Sequence, residues 1–185
     1  MKVSNILGLV AAELNLDEYV RSHIQGVSNT TMGQEDANNL LSCFNLVENT
    51  LAVEYLPLYA EDEILAEAGV VFFDTFTRKP VRIVAVYDER KNSLAYTVFP
   101  EYLKTQAGMI TVRYTYAPQE KTMDGECDYR LGAYKQVLVY GVANEYCLAC
   151  GRFEEAEIWE KKYRRALKNL YKMHPSIVLR TRRWA

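Results

Sequence analysis

The stretch YGVANEYCLACGRFEEAEIWEKKYRRALKNLYKM, residues 140–173, decides how this chain is expected to fold. It contains a C-x-x-C pair, then Gly151, then a long run with helical periodicity. A helix that ends at this glycine, followed directly by another helix, predicts an αα-hairpin with its tight turn at residues 149–152. The run VLVYGVA, residues 137–143, is apolar on every side, which predicts an enclosed first helix with a close neighbour at Gly141.

The second helix of this hairpin is predicted to be amphipathic. Its charged residues include the pairs Glu157 with Lys161 and Glu160 with Arg164, which have the favourable order for ion pairs one turn apart. The residues expected on its buried side are Phe153, Ala156, Trp159, Tyr163, Ala166, Leu167 and Leu170.

The C-x-x-C pair has other interpretations, which are disfavoured. A redox pair normally opens a helix, where the dipole lowers the thiol pKa, but Cys147 and Cys150 stand in a last turn. A tetratricopeptide-like array needs about three copies of a 34-residue period, which does not recur. Zinc needs two more ligands, and the remaining candidates stand at no recognised spacing: His23, His174, Cys43 and Cys127. Core cysteines are therefore predicted.

Further helices are predicted at the N-terminus. The spacing of apolar residues predicts a helix over Ser4–Leu14 with Ser4 as its cap, and a short helix over Asp17–Ile24. Thr31 and Gln34 have the spacing of a capping box, and a long apolar stripe follows them to about residue 57.

Between residues 57 and 118 the pattern becomes typical of β-strands. The runs VVFFDTF, VRIVAVY, LAYTVF and MITVRYTY are β-branched and aromatic, and short turn sequences separate them. Four or five antiparallel strands, in a meander or a small sandwich, are expected. The polar segment Gln119–Asp128 is predicted to be a solvated loop.

Together these patterns predict an α+β fold. A helical bundle is expected over residues 1–56 and 127–173, with an inserted antiparallel β-domain over residues 57–118 and an extended tail over residues 174–185. A length of 185 residues suits one domain with an insertion. A small core cannot bury all fourteen tyrosines of the chain. Some of them are therefore expected on partly buried surfaces, such as protein–protein interfaces.

The sequence also indicates where the protein is located and how its charge is distributed. The chain has no apolar run long enough to cross a bilayer and no signal-peptide pattern, so no membrane association and a cytosolic, reducing location are expected. Its net charge is −2, but residues 152–185 carry ten basic and four acidic residues. An acidic body with a basic end can select partners by charge.

The common catalytic and nucleotide-binding motifs are absent from the sequence, and two distant histidines leave little material for acid–base chemistry. The acidic clusters are Glu61–Glu63 and the set Asp124, Glu126 and Asp128, which lacks the spacing of a calcium loop. No catalytic residue, metal site or cofactor is predicted, and the chain is not expected to be an enzyme.

The end of the chain, HPSIVLRTRRWA, is predicted to be an extended segment that binds a partner. Arginine and tryptophan are enriched where binding energy concentrates. The residues assigned to this contact are Leu179, Arg180, Arg182, Arg183 and Trp184. An equally supported alternative is that the tail folds back onto the chain's own sheet.

The order of segments resembles that of tailed-phage head-to-tail adaptors, also called connector or tail-tube gatekeeper ring proteins. The resemblance lies in EYLPLYAEDEI, RKPVRIVAVY, VFPEYLKTQAGMITVRYTYAP, YGVANEYCLACGRFEEAEIWEKKYRRAL and the final RRWA. Several adaptors lack a β insertion of this size. The resemblance implies a virion protein, in the host cytoplasm during assembly.

It further implies a homo-oligomeric ring, dodecameric in the family, between the portal protein and a tail or nozzle protein. DNA would pass through its channel without specific binding, and the segment from Leu179 to Trp184 would reach the portal or a neighbouring subunit. The alternative function is a peptide- or carbohydrate-binding β-domain on a helical scaffold, which the tyrosine-rich strands favour.

Overall fold

The computed structural model describes residues 1–27, 31–130 and 132–173. These residues form an α+β fold, so the class predicted from the sequence is confirmed. The chain divides into a helical unit, residues 1–48 with the described residues from 120 onward, and a β unit, residues 49–119. The expected borders were residues 57, 118 and 127. The first border lies earlier than expected, within the helix Gln34–Thr50.

Five α-helices lie in the described residues. They are α1, Val3–Glu13; α2, Glu18–Ile24; α3, Gln34–Thr50; α4, Lys135–Ala149; and α5, Phe153–Met173. A π-helical turn, Leu51–Tyr55, continues directly from α3, and a 3-10 turn, Gly132–Tyr134, leads into α4. The apolar stripe predicted up to about residue 57 therefore belongs to an α-helix and a π turn in succession.

The start of α1 differs from the predicted serine cap. Ser4 lies inside the helix, which begins at Val3. The Val3 amide donates a hydrogen bond to the Gly125 carbonyl at 3.0 Å, and the Ser4 amide donates to the Met123 carbonyl at 3.1 Å. Loop carbonyls thus satisfy the helix-terminal donors that a cap side chain would otherwise take.

The predicted αα-hairpin is confirmed. Gly151 stands just after α4 with φ of 71°, and the Arg152 amide donates to the Cys147 carbonyl at 2.8 Å. A Cβ atom at Gly141 would stand 2.7 Å from Cγ1 of Val47 and 3.0 Å from Cε2 of Tyr163. The glycine therefore lets α4 approach both α3 and α5 closely.

One residue of the predicted buried side of α5 is misplaced. Phe153 is 69% exposed, whereas Ala156, Trp159, Leu167 and Leu170 are buried as expected. Phe153 is the first residue of α5, so it stands beyond the contact between the two helices of the hairpin.

The β unit contains two antiparallel three-stranded sheets. The strands are β1, Leu58–Ala66; β2, Val70–Phe72; β3, Pro80–Asp88; β4, Thr97–Val98; β5, Tyr102–Lys104; and β6, Gly108–Tyr116. The orders are β1-β6-β3 and β2-β5-β4, so the last strand lies between the first and third. Both sheets contribute to one core: Ala66, Val71, Phe76, Ile83, Val86, Leu103, Ile110, Val112 and Tyr114. This is a small sandwich and not a meander in chain order.

Strand β1 includes the acidic run that the sequence reading left out of the strands. Its side chains alternate between exposed and inward positions along Leu58–Ala66, and Asp62 points inward. The Asp62 carboxylate accepts hydrogen bonds from the Tyr114 hydroxyl at 2.8 Å and the Thr77 amide at 2.7 Å. A carboxylate at an inward position conceals the two-residue period of the strand.

Candidate interaction surfaces

The four cysteines are free thiols in different environments. Cys43, Cys127 and Cys147 are buried as predicted, but Cys150 is exposed, because it stands after the last turn of α4. Burial raises the pKa of Cys147 and raises the pKa of Cys43 to about 11. A nucleophilic or redox-active thiol requires a lowered pKa, so these two thiols are poorly suited to that chemistry.

Within ranges 1–27, 31–130 and 132–173, no group of three or more histidine, cysteine or acidic side chains is arranged to hold a metal ion. Asp128, from the acidic set that lacks the spacing of a calcium loop, pairs with the Lys121 ammonium at 2.7 Å.

A network of polar contacts, which we call the clasp, joins the segments that leave and return to the helical unit. The clasp consists of Asn45, Glu48, Lys121, Cys127 and Asp128. The Asn45 side chain donates to the Lys121 carbonyl at 3.1 Å and accepts from the Lys121 amide at 2.8 Å. Oε1 of Glu48 accepts from the Asp128 amide at 2.7 Å. The loop predicted to be solvated is therefore held against α3.

Glu48 is the buried centre of the clasp. Its side chain is 1% exposed, and its second oxygen, Oε2, has no hydrogen-bond partner in the part of the chain that the structure describes. Burial raises the pKa of Glu48, and burial together with the adjacent Glu48 raises the pKa of Cys127. A buried carboxyl with a raised pKa can exchange a proton as pH changes, which makes the clasp sensitive to pH.

The β unit has an exposed surface, the sheet face, on the outer side of strands β1 and β6. It consists of Tyr59, Glu61, Glu63, Leu65, Met109 and Arg113. Leu65 and Met109 are opposite each other across the two strands and are 57% and 46% exposed. The Arg113 guanidinium lies 5.2 Å from the Tyr59 ring centre and 3.6 Å from the Glu61 carboxylate.

The helical unit has another exposed surface, the hairpin tip, which carries apolar side chains. It consists of Leu148, Cys150 and Phe153, which flank the turn between α4 and α5. Leu148 is 43% exposed and Phe153 69% exposed. Contiguous exposed apolar surface is typical of protein–protein contact sites, so this turn is a candidate for one.

A cavity of about 300 Å³ also lies in the β unit. Its lining combines apolar side chains with one charged and two aromatic polar groups: Ala52, Val53, Pro57, Tyr59, Val81, Arg82, Ile83, Val84, Tyr96 and Thr115. The Tyr96 hydroxyl, however, is turned to the Val84 carbonyl at 3.3 Å. The volume is at the lower end of the range for small-molecule sites.

The five residues predicted to bind a partner lie outside the described residues. They are Leu179, Arg180, Arg182, Arg183 and Trp184. The sequence reading missed the sheet face, because the carboxylate of Asp62 interrupts the apolar alternation that marks one face of a strand.

No protein-family model matches this chain, and no curated protein matches its sequence. Every helix in the described part of the chain is too short or too polar to cross a membrane.

Proposed function

We propose that this protein is a non-enzymatic adaptor of a tailed phage particle, forming a ring between the portal and the tail. The proposal rests first on the order of sequence segments, which resembles that of phage adaptors. The α+β fold, with its helical hairpin and inserted β unit, has the layout that this resemblance implies.

One structural observation supports the proposal most directly: the chain carries two different exposed surfaces, one apolar and one that mixes apolar with charged side chains. The hairpin tip belongs to the helical unit and the sheet face belongs to the β unit. A ring forms when one patch of a subunit binds a different patch of the next subunit and the rotation closes. Two unlike surfaces on one chain meet that requirement. A single surface that binds its own copy would give a dimer and not a ring.

The charge distribution fits the same function. A channel that passes DNA should not hold phosphate tightly, and a DNA-binding module would normally be basic overall. The chain carries a net charge of −2, with its basic residues concentrated after residue 151. DNA would then slide through the ring, while the basic end contacts protein partners.

The test is assembly with the portal protein encoded in the same genome. We expect the purified chain to form a ring, alone or on the portal, visible by electron microscopy, with its stoichiometry given by native mass spectrometry. A monomer that shows no association with the portal over a range of salt concentrations would refute the proposal. The matched variant Phe153→Ser should weaken assembly without changing the circular dichroism spectrum.

The cavity in the β unit supports a second candidate function, that of a binding module for a peptide or carbohydrate. Tyr59 and Arg82 line it and offer stacking and hydrogen bonding to such a ligand. Peptide and glycan arrays test this function directly. Specific hits that are lost in Arg82→Ala would favour it over the adaptor.

A further inference from the structure

Strand β1 is an edge strand with an available side. Among the described residues, β1 has a ladder partner on one side only, because the order of its sheet is β1-β6-β3. It pairs with β6 over all nine residues, Leu58–Ala66. Long edge strands offer backbone donors and acceptors to another extended segment.

The exposed side chains of β1 form a defined pattern. In chain order they are Tyr59, Glu61, Glu63 and Leu65, that is, aromatic, acidic, acidic and apolar. The segment Ile177–Trp184 has the reverse pattern at alternate positions: Val178, Arg180, Arg182 and Trp184. An antiparallel pair reverses one strand relative to the other, so these two patterns match position by position.

We propose that the segment Ile177–Trp184 of one copy adds to β1 of a second copy as an antiparallel fourth strand. The register places Trp184 opposite Tyr59, Arg182 opposite Glu61, Arg180 opposite Glu63 and Val178 opposite Leu65. On the inward side, Leu179 comes opposite Ile64 and Ile177 opposite Ala66. Aromatic, opposite-charge and apolar cross-strand pairs are the favourable ones in antiparallel sheets. A shift of one residue would lose the pair of Trp184 with Tyr59 and at least one of the two outward arginine–glutamate pairs.

The length of chain after α5 favours a second copy as the source. Helix α5 ends at Met173, and His174–Ser176 are the residues between it and the pairing segment. Four residue steps span at most about 14 Å. A chain can therefore reach its own β1 only if its Met173 lies within that distance of its own Ala66. A second copy is free to bind in a position that brings its Ala66 within that distance of Met173.

This inference deepens the proposed function, because it selects a neighbouring subunit and not the portal as the partner of the C-terminal segment. The inference rests on the proposed function, because it assumes that copies of the chain associate with one another. The contact would be heterologous, with the end of one subunit on the edge strand of the next, which is the kind that closes a ring.

Cysteine cross-linking of the full-length chain tests the register. In a Cys150→Ser background, Leu65→Cys and Val178→Cys are combined and treated with a short bismaleimide. The matched control combines Val98→Cys with Val178→Cys, because Val98 is also exposed on an edge strand, β4, at 52% against 57% for Leu65. We expect covalent dimers and higher oligomers on denaturing gels with the Leu65 pair and only background with the Val98 pair.

Charge exchange tests the recognition. With the Leu65 and Val178 reporter pair in place, Glu61→Arg with Glu63→Arg should lower the cross-linked fraction about tenfold, and so should Arg180→Glu with Arg182→Glu. All four changes together should restore it. Circular dichroism checks that each variant remains folded.

Three results would overturn the inference: equal cross-linking of the Leu65 and Val98 pairs, no restoration in the four-fold variant, or a product that is only internally cross-linked monomer. The last would assign the segment to its own chain. Failure of portal binding with intact cross-linking would refute the adaptor function and leave the strand pairing standing, so the two proposals can fail separately.

Discussion

Oε1 of Glu48 accepts a hydrogen bond from the backbone amide of Asp128 at 2.7 Å, across 80 positions of sequence. The two residues stand on either side of the β unit in the chain, so this contact holds together the segments from which the insertion departs and to which it returns. The buried carboxyl at this point gives the stability of the protein a specific pH dependence.

Stability should fall as pH rises through the range in which Glu48 ionises. Burial raises its folded-state pKa above the ordinary value of 4.5, so the folded state binds more protons than the unfolded state between these two values. Its contribution is therefore full below 4.5 and is lost as pH rises through the raised pKa. Glu48→Gln stays neutral and keeps an acceptor, so its urea-unfolding free energy should depend less on pH and exceed wild type at pH 8. Lower stability of Glu48→Gln at pH 8 would contradict this.

Glu48→Ala should behave differently from the glutamine variant. It removes the acceptor of the Asp128 amide and leaves that donor buried, which costs about 1–3 kcal/mol of unfolding free energy at pH 5. The cost relative to wild type should be smaller at pH 8, where the wild-type carboxyl has lost its own contribution. Chemical denaturation at pH 5 and pH 8 measures this loss. An alanine variant as stable as wild type would show that the clasp is not needed for folding.

Gly141→Ala should destabilise the helical unit, although alanine favours helix. The added Cβ would stand 2.7 Å from Val47 and 3.0 Å from Tyr163, and overpacking of this kind costs about 1–3 kcal/mol. Gly8→Ala in α1 is the matched control, because a Cβ there meets no atom within 4 Å, so that variant should gain about 0.5–1 kcal/mol. Thermal unfolding compares them. Val47→Ala should partly restore Gly141→Ala, and a stabilised Gly141→Ala would refute the close approach.

Tyr114→Phe should destabilise the β unit by about 1–3 kcal/mol. The Tyr114 hydroxyl donates to Asp62 at 2.8 Å and accepts from the Arg78 amide at 3.2 Å, so both partners lose a bond. Burial, and then the bond to Asp62, raise the pKa of Tyr114 to about 12, so the phenol remains a donor in ordinary buffers. Tyr59→Phe on the exposed face should change the unfolding free energy by less than about 0.5 kcal/mol. Equal effects of the two changes would be evidence against an inward-facing Asp62 contact.

An aromatic disulfide that releases a coloured thiolate on reaction with a free thiol should label one cysteine per chain under native conditions. After unfolding it should label all four. Cys150 is exposed, whereas the other three cysteines are buried. Cys150→Ser should abolish the native reaction at little cost in stability, and Cys147→Ser should cost about 1–3 kcal/mol because it places a hydroxyl in an apolar site. Native labelling of Cys147 would contradict its burial and would favour the redox interpretation of the C-x-x-C pair.

Removal of residues 174–185 should leave the fold intact and prevent assembly. The described core ends within α5, so the circular dichroism spectrum and unfolding midpoint should match those of the full chain. Sedimentation velocity, with and without portal protein, measures assembly. A truncated chain that no longer folds would show that the C-terminal segment belongs to its own core.

The helical hairpin was predictable because its signals are local. Residues 137–149 and 153–173 each carry a helical period, and a glycine stop lies between them. The second helix also has ion pairs one turn apart, and Glu157 with Lys161 is found at 2.7 Å. None of these features depends on residues far away in the sequence. The Gly141 contact was predictable for the same reason, because a glycine within an apolar helix indicates a close neighbour.

Strand β1 and the clasp were not predictable, because their causes lie far away in sequence. Asp62 can face inward only because Tyr114 and Thr77 satisfy it, and without them its carboxylate interrupts the apolar alternation. Asn45 and Glu48 find their partners 76 and 80 positions later. The cap of α1 likewise comes from a distant loop, so Ser4 was a reasonable but wrong choice.

That distant cap bears on how the protein is made on the ribosome. The carbonyls of Met123 and Gly125, which complete the first turn of α1, are synthesised about 120 residues after Val3. At about 5–20 residues per second, the N-terminal helix waits roughly 6–24 seconds for them. During translation the β unit is therefore complete before the first helix can be finished.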